Sequence, residues 1–241
     1  MSVHQTCRFH DRCQLNKSMG DGPCCRFAGR MTLARAARKG FLFHEGDPVK
    51  GAFILLTGIL AMERLTERGD LVIVRLVRPG ELFPYVDPTA AEAHASTARA
   101  LGDVTACFLS GERLAEAMRE APRFSLAMVR LGSTLMRQSE DSVMRLCSSE
   151  FSDLVVAELE ALALHLGRRN PDGDWVFTLP MPWRDFAALV GITPESLSRL
   201  LKRLGKAGRI QVRGHEVTIA PAAEGCAPWV AQSAGARSLA G

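Results

Sequence analysis

The stretch WRDFAALVGITPESLSRLLKRLGKAGRIQVRGHEVTI, residues 183–219, constrains the fold more than any other part of the chain. Arg184 to Val190 reads as a short helix, Gly191 as a sharp turn, and Glu195 to Leu204 as a second helix. Thr193 supplies the hydroxyl that a helix N-terminus needs, and Pro194 fits the first helical position, where no backbone N–H is required. Leu197, Leu200, Leu201 and Leu204 share one face of the second helix, leaving Glu195, Ser198, Arg199, Lys202 and Arg203 to face outward. RIQVRGHEVTI then bends at Arg213-Gly214 as a β-hairpin does. Helix, tight turn, helix and hairpin wing in this order predict a winged helix-turn-helix.

Charge points the same way. The 241 residues carry a formal net charge of only +4, but residues 181–216 hold seven Lys/Arg against three Asp/Glu. A basic helix that offers polar groups from its N-terminal half and cations from the rest suits base edges and phosphates of double-stranded DNA. A generic pair of amphipathic helices with a solvated charged face fits the leucine spacing too. The cap, the turn glycine, the outward polar set and the wing together favour DNA.

Upstream, from Gly40 to about Leu109, short apolar runs alternate with turns: HEGDP at 44–48, Thr57-Gly58, ERGD at 67–70 and RPGE at 78–81. This rhythm predicts a small β-roll, with LVIVRLV at 71–77 too short for an ordinary helix. After Ser110 the period changes. Phe124, Met128, Leu131 and Leu135 form one helical stripe behind Pro122, open to two uses: packing on the same domain, or a seam between two subunits. Gln138-Ser139-Glu140-Asp141 would interrupt such a seam. Ser148 to Arg169 reads as a further helix ending on basic residues, and NPDGD at 170–174 as a turn.

The roll, long helix and string G-I-T-P-E-S-L-S-R-L-L-K-R-L at 191–204 resemble the superfamily of the cyclic-AMP receptor protein and the fumarate and nitrate reduction regulator (CRP/FNR), closest to its oxygen-sensing branch, over roughly residues 40–221. The resemblance implies an α+β chain: behind a Cys-rich basic arm (1–39), a cyclic-nucleotide-binding-like β-roll (40–121), a dimerisation helix (122–147) and a winged helix-turn-helix (148–221); the Ala/Gly/Ser-rich composition of residues 222–241 predicts a disordered tail. It implies a cytoplasmic homodimer on a palindrome resembling TTGAT-N4-ATCAA, with RNA polymerase as a further partner. Glu195, Ser198 and Arg199 match the family's base-contacting Glu, Ser and Arg; Lys202 and Arg203 follow as phosphate contacts. Arg199 suits guanine O6 and N7, and Glu195 an exposed amino group.

The family's cyclic-nucleotide binders hold the phosphate with Gly-Glu and Arg-Ser pairs. Gly80-Glu81 matches the first, but His94-Ala95 stands at the second, so a cyclic nucleotide is not the expected effector. The oxygen-sensing branch instead holds a [4Fe-4S] iron-sulfur cluster with N-terminal cysteines and one in the roll. Here the resemblance assigns Cys7, Cys13, Cys24, Cys25 and Cys107 as candidate ligands; Cys107 alone reads equally as a core residue. The spacing Cys-x5-Cys-x10-Cys-Cys departs from the family's tighter arm, which leaves haem, zinc or thiol-disulfide chemistry as alternatives. Seven cysteines, an odd number, in a chain without an apolar leader argue against a disulfide framework. The longest apolar run, Gly51 to Met62, is too short and too glycine-interrupted to cross a membrane. No nucleophile elbow or phosphate-cradling glycine loop supports an enzyme, leaving a cysteine-dependent one as a distant alternative.

Overall fold

The computed structural model describes residues 31–85, 87, 90, 92–148 and 150–220. They divide at Arg137/Gln138 into two compact units. The architecture is α+β, with a strand-rich first unit and a second that combines helices with a small sheet.

The first unit is a roll of two four-stranded sheets. One has the order β1 (Thr32–Ala36), β8 (Val104–Ser110), β3 (Gly51–Thr57), β6 (Leu82–Phe83). The other runs β2 (Phe41–Phe43), β7 (Thr97–Ala100), β4 (Leu60–Leu65), β5 (Leu71–Val77). The turn glycines do what the sequence asks of them. Gly58, between β3 and β4, has φ 81°, and a Cβ there would stand 2.5 Å from the Asp103 carbonyl oxygen. One core fills the roll around Phe43, Leu55, Leu60, Phe83 and Ala106. A second lies where Ile54, Leu56, Leu82 and Leu109 meet α1 (Gly111–Glu120) and α2 (Pro122–Ser148). β3 is apolar from Ala52 to Leu56 because alternate residues serve the two cores. Across the second sheet, the buried Glu63 carboxylate of β4 accepts from Arg99 of β7, Nε to Oε1 at 2.7 Å.

Two boundaries differ from the sequence reading. β1 pairs with β8 from Thr32↔Phe108 to Ala36↔Val104, so the sheet begins upstream of residue 40. The polar, positively charged flavour of TLARA hides a strand that is exposed on one side. The helix read as Ser148 to Arg169 is α3, Phe151–Leu166; Arg168–Arg169 form β9 instead. α3 ends at Gly167, a position that takes glycine because a Cβ there would meet the Ala163 carbonyl oxygen at 2.4 Å and the Trp175 ring at 2.9 Å.

In the second unit α3 is largely apolar and buries Leu154, Val155, Leu159 and Leu162. β9 and β10 (Trp175–Thr178) enclose the NPDGD turn, where Asn170 Oδ1 accepts from the Asp174 N–H at 2.8 Å. β11 (Ile210–Arg213) and β12 (Glu216–Ile219) complete the sheet order β11-β12-β10-β9. α4 (Trp183–Val190) and α5 (Pro194–Lys206) precede this hairpin.

Candidate nucleic-acid interface and sensor residues

α4 stops at Gly191, whose φ of 77° is the left-handed turn that glycine reaches without strain. Two residues later Thr193 Oγ1 accepts from the Ser196 N–H at 3.2 Å, and Pro194 opens α5. Leu197 and Leu204 are buried, each such side chain contributing about 1.5–3 kcal/mol relative to exposure. Opposite them Glu195, Ser198, Arg199, Lys202 and Arg203 are all exposed. The first four, with Lys206, project within a narrow arc, since 195, 198/199, 202 and 206 recur at three- and four-residue spacing. Arg203 stands at the margin of that arc and reaches Glu150 at 3.9 Å. Arg209, just before the wing, similarly reaches Asp153 at 3.8 Å. Both pairs are open to solvent and add little stability, so both arginines can exchange their carboxylate for a phosphate. From sequence Glu150 reads as an acidic group suited to the helix N-terminus, and its pairing with Arg203, like that of Asp153 with Arg209, emerges only from the fold.

The wing is fastened at its tip. The Trp183 indole N–H donates to the Gly214 carbonyl oxygen at 2.8 Å, and the Leu179 N–H donates to that of His215 at 2.8 Å. Gly214 has φ 64°, and Arg213 and His215 beside it are exposed. A hairpin held at two points presents these side chains without an ordering cost at the moment of contact.

In the roll, Cys107 lies on β8 opposite Leu33 of β1 and Ile54 of β3, half-buried against the core shared with α1 and α2. Cys7, Cys13, Cys24 and Cys25 lie outside the described residues, and among the described residues no three His, Cys, Asp or Glu side chains converge. The Gly80-Glu81 turn carries a mostly buried ion pair, Arg75 Nη1 to Glu81 Oε2 at 3.4 Å. Burial pushes the Glu81 carboxyl up, against the pull of Arg75 and Arg78, and pushes Arg75 down, against the pull of Glu81. His94 is buried with its ring stacked on Phe43, centroids 3.6 Å apart, and its Nδ1 lacks a hydrogen-bond partner among the described residues. Burial holds its pKa below the ordinary 6.5, the nearby Asp47 carboxylate opposing.

The helical stripe has a different use from a subunit seam. Phe124, Met128 and Leu131 are buried in the roll's own second core. Another stripe is exposed: Leu126, Val129, Met136 and Val143, with Ser133 and Glu140 at the intervening positions, separated by three, four, three, four and three residues. The larger side chains of the first stripe make it the more conspicuous of the two in the sequence. On the exposed stripe only Glu140 of the four polar residues 138–141 falls in line.

Residues 34–121 match the cyclic nucleotide-binding domain family, and residues 159–223 the Crp-like helix-turn-helix domain family. Electron transport regulator A of Shewanella oneidensis is 29% identical over 178 residues, 74% of this chain and 70% of that protein. The fumarate and nitrate reduction regulatory protein of Escherichia coli is 28% identical with the same coverage. Among solved structures, FixK2 from Bradyrhizobium japonicum superimposes with a TM-score of 0.70 at 20% identity, over 79% of this chain and 93% of that one. A CRP/FNR-family transcriptional regulator from Thermus thermophilus gives 0.66 at 20% identity, over 79% and 94%.

Proposed function

The chain belongs to the CRP/FNR superfamily of DNA-binding transcription regulators, and from that premise we propose that it is a cytoplasmic homodimer whose grip on a palindromic site follows the redox state of an N-terminal iron-sulfur cluster. The observation that carries the DNA half is the exposed arc of α5. Arg199 reads guanine, Glu195 reads an amino group, Ser198 approaches a thymine methyl, and Lys202 and Arg203 neutralise phosphates of a site resembling TTGAT-N4-ATCAA. Two copies on a palindrome require a seam, and Leu126, Val129, Met136 and Val143 supply an a/d-type stripe for it. RNA polymerase is the further partner of the DNA-bound dimer.

Cys107 supports the sensor half. Its sulfur is a soft donor on the strand next to β1, and β1 is the strand into which the arm leads. Cys25 precedes Leu33, the partner of Cys107, by only eight residues, within easy reach at about 3.3–3.6 Å per residue. Cys107 with ligands from Cys7, Cys13, Cys24 and Cys25 would hold the group. A bound cluster supplies an oxygen-labile centre whose thiolates come from two parts of the chain. Arm and roll are tied while the ligands are held and released when they are not, which is the differential binding that a switch needs. With His94-Ala95 where the family's nucleotide binders carry Arg-Ser, a cyclic nucleotide is not the proposed effector.

The test is anaerobic purification with iron and acid-labile sulfide analysis, followed by titration of the palindrome before and after exposure to air. Coloured, iron-containing protein that loses DNA affinity in air is expected. Iron-free protein that binds equally in both states overturns the sensor half, and failure to prefer the palindrome over scrambled DNA overturns the recognition half.

A further inference from the structure

The chain has a single tyrosine, and it sits where the roll meets α2. Tyr85 follows β6, and its hydroxyl donates to the Met128 carbonyl oxygen of α2 at 2.5 Å. One turn on, Gly132 opens a notch for the ring: a Cβ built on Gly132 would stand 2.8 Å from both Cζ and Oη of Tyr85. Burial keeps the phenol's pKa above its ordinary value, with the Gly132 N–H opposing, so at neutral pH the hydroxyl carries the proton that it donates. The contact also lies at a boundary. Gly132 is three residues after Val129 and four before Met136, the neighbours of a helical residue on its own surface. Val129 and Met136 are exposed members of the stripe, while Met128 and Leu131 on the other side are core. Tyr85 is itself 43% exposed, so the contact is open to solvent on one side.

We propose that Tyr85 is a positioning pin: seated in the Gly132 notch, it fixes α2 against the loop that follows β6, so that the subunit seam on the adjoining face forms only while the pin is in place. This rests on the dimer reading above and adds the contact that regulates it. Tyr85 lies four residues after the Gly80-Glu81 turn, so this contact joins that part of the roll to the helix that bears the seam, beside the core contacts of Phe124, Met128 and Leu131.

The notch permits a clean experiment. Gly132→Ala expels the ring, because the atoms that the new methyl meets are the far end of a side chain that can swing away, and alanine favours the helix. Tyr85→Phe keeps the ring and removes only the hydroxyl bond; Tyr85→Ala empties the notch. In full-length protein labelled with fluorotyrosine, the sole tyrosine gives one ¹⁹F resonance, expected to shift in Gly132→Ala. Dimer dissociation constants from sedimentation, in one fixed redox state, are expected to rise roughly tenfold or more for Gly132→Ala and Tyr85→Ala, and about two- to tenfold for Tyr85→Phe. Thermal stability of Gly132→Ala should stay near that of the parent, which separates a pin from a general packing contact. If Gly132→Ala fails to fold, the Tyr85→Phe and Tyr85→Ala pair decides. An unmoved ¹⁹F resonance, or dimer constants that all three substitutions leave unchanged, overturns the pin. A parent chain that sediments as monomer at every concentration, with and without the palindrome, overturns the dimer reading as well.

Discussion

Arg199 stands clear of the packing of α5, with Nη2 3.4 Å from Ser196 Oγ, so its loss removes recognition and spares the fold. Arg199→Ala is expected to weaken the palindrome by about 1–3 kcal/mol, roughly 5- to 150-fold, and to relax the preference at the guanine. Lys202→Ala should weaken all DNA sequences alike and reduce the slope of log affinity against log salt by about one. Fluorescence anisotropy with matched and mutated sites over a range of salt separates the two. His94 makes a prediction of a different kind. Its folded pKa lies below 6.5, so the unfolded chain binds the proton more readily between the two values. His94 therefore contributes stability that is present above pH 6.5 and is lost as pH falls through the folded-state pKa. His94→Phe, which keeps a ring against Phe43, should flatten this part of the profile when melting temperature is followed from about pH 7.5 downward.

At the scale of elements, the recognition unit was legible because each boundary rests on a local device: the left-handed Gly191, the Thr193 cap, Pro194 at N1. Thr193→Ala should cost about 1 kcal/mol of stability in the second unit, measured by denaturant titration, and weaken DNA binding in proportion to the fraying of the first turn of α5. What local pattern does not carry is which of two apolar stripes meets which partner. On α2 the stripe at 124, 128 and 131 and the stripe at 126, 129 and 136 have similar helical spacing, and only tertiary packing sends the first to the roll. β1 and β9 escaped for the same reason: short, basic strands are defined by β8 and β10, not by their own composition. Val129→Glu and Met136→Glu put charges on the exposed stripe, and the expected result is monomer by sedimentation with an unchanged melting temperature; Leu131→Glu should unfold the roll instead, because Leu131 is buried in the core.

For the whole molecule, the question is how a signal at one end alters DNA binding at the other, and the chain allows a sharp genetic dissection. Linkage requires that the sensing group bind one state better than its rival, and the proposed tie of the arm to β8 through Cys107 would be such a difference. Cys107 is placed by the sheet, while the partners proposed for it, Cys7, Cys13, Cys24 and Cys25, are legible only as a cluster of thiols in a basic segment with eight Lys/Arg in residues 1–40. Serine in place of Cys107 removes the soft donor at nearly constant volume, so the roll should keep its melting temperature. Anaerobically purified Cys107→Ser should then lack iron, sediment as the parent does after air, and bind the palindrome with one affinity in both atmospheres. Cys226→Ser, outside the proposed ligand set, should behave as the parent. Cys107→Ser protein that retains iron and still responds to air would move the sensor away from β8, since the proposed coupling uses Cys107 as the ligand that the roll contributes.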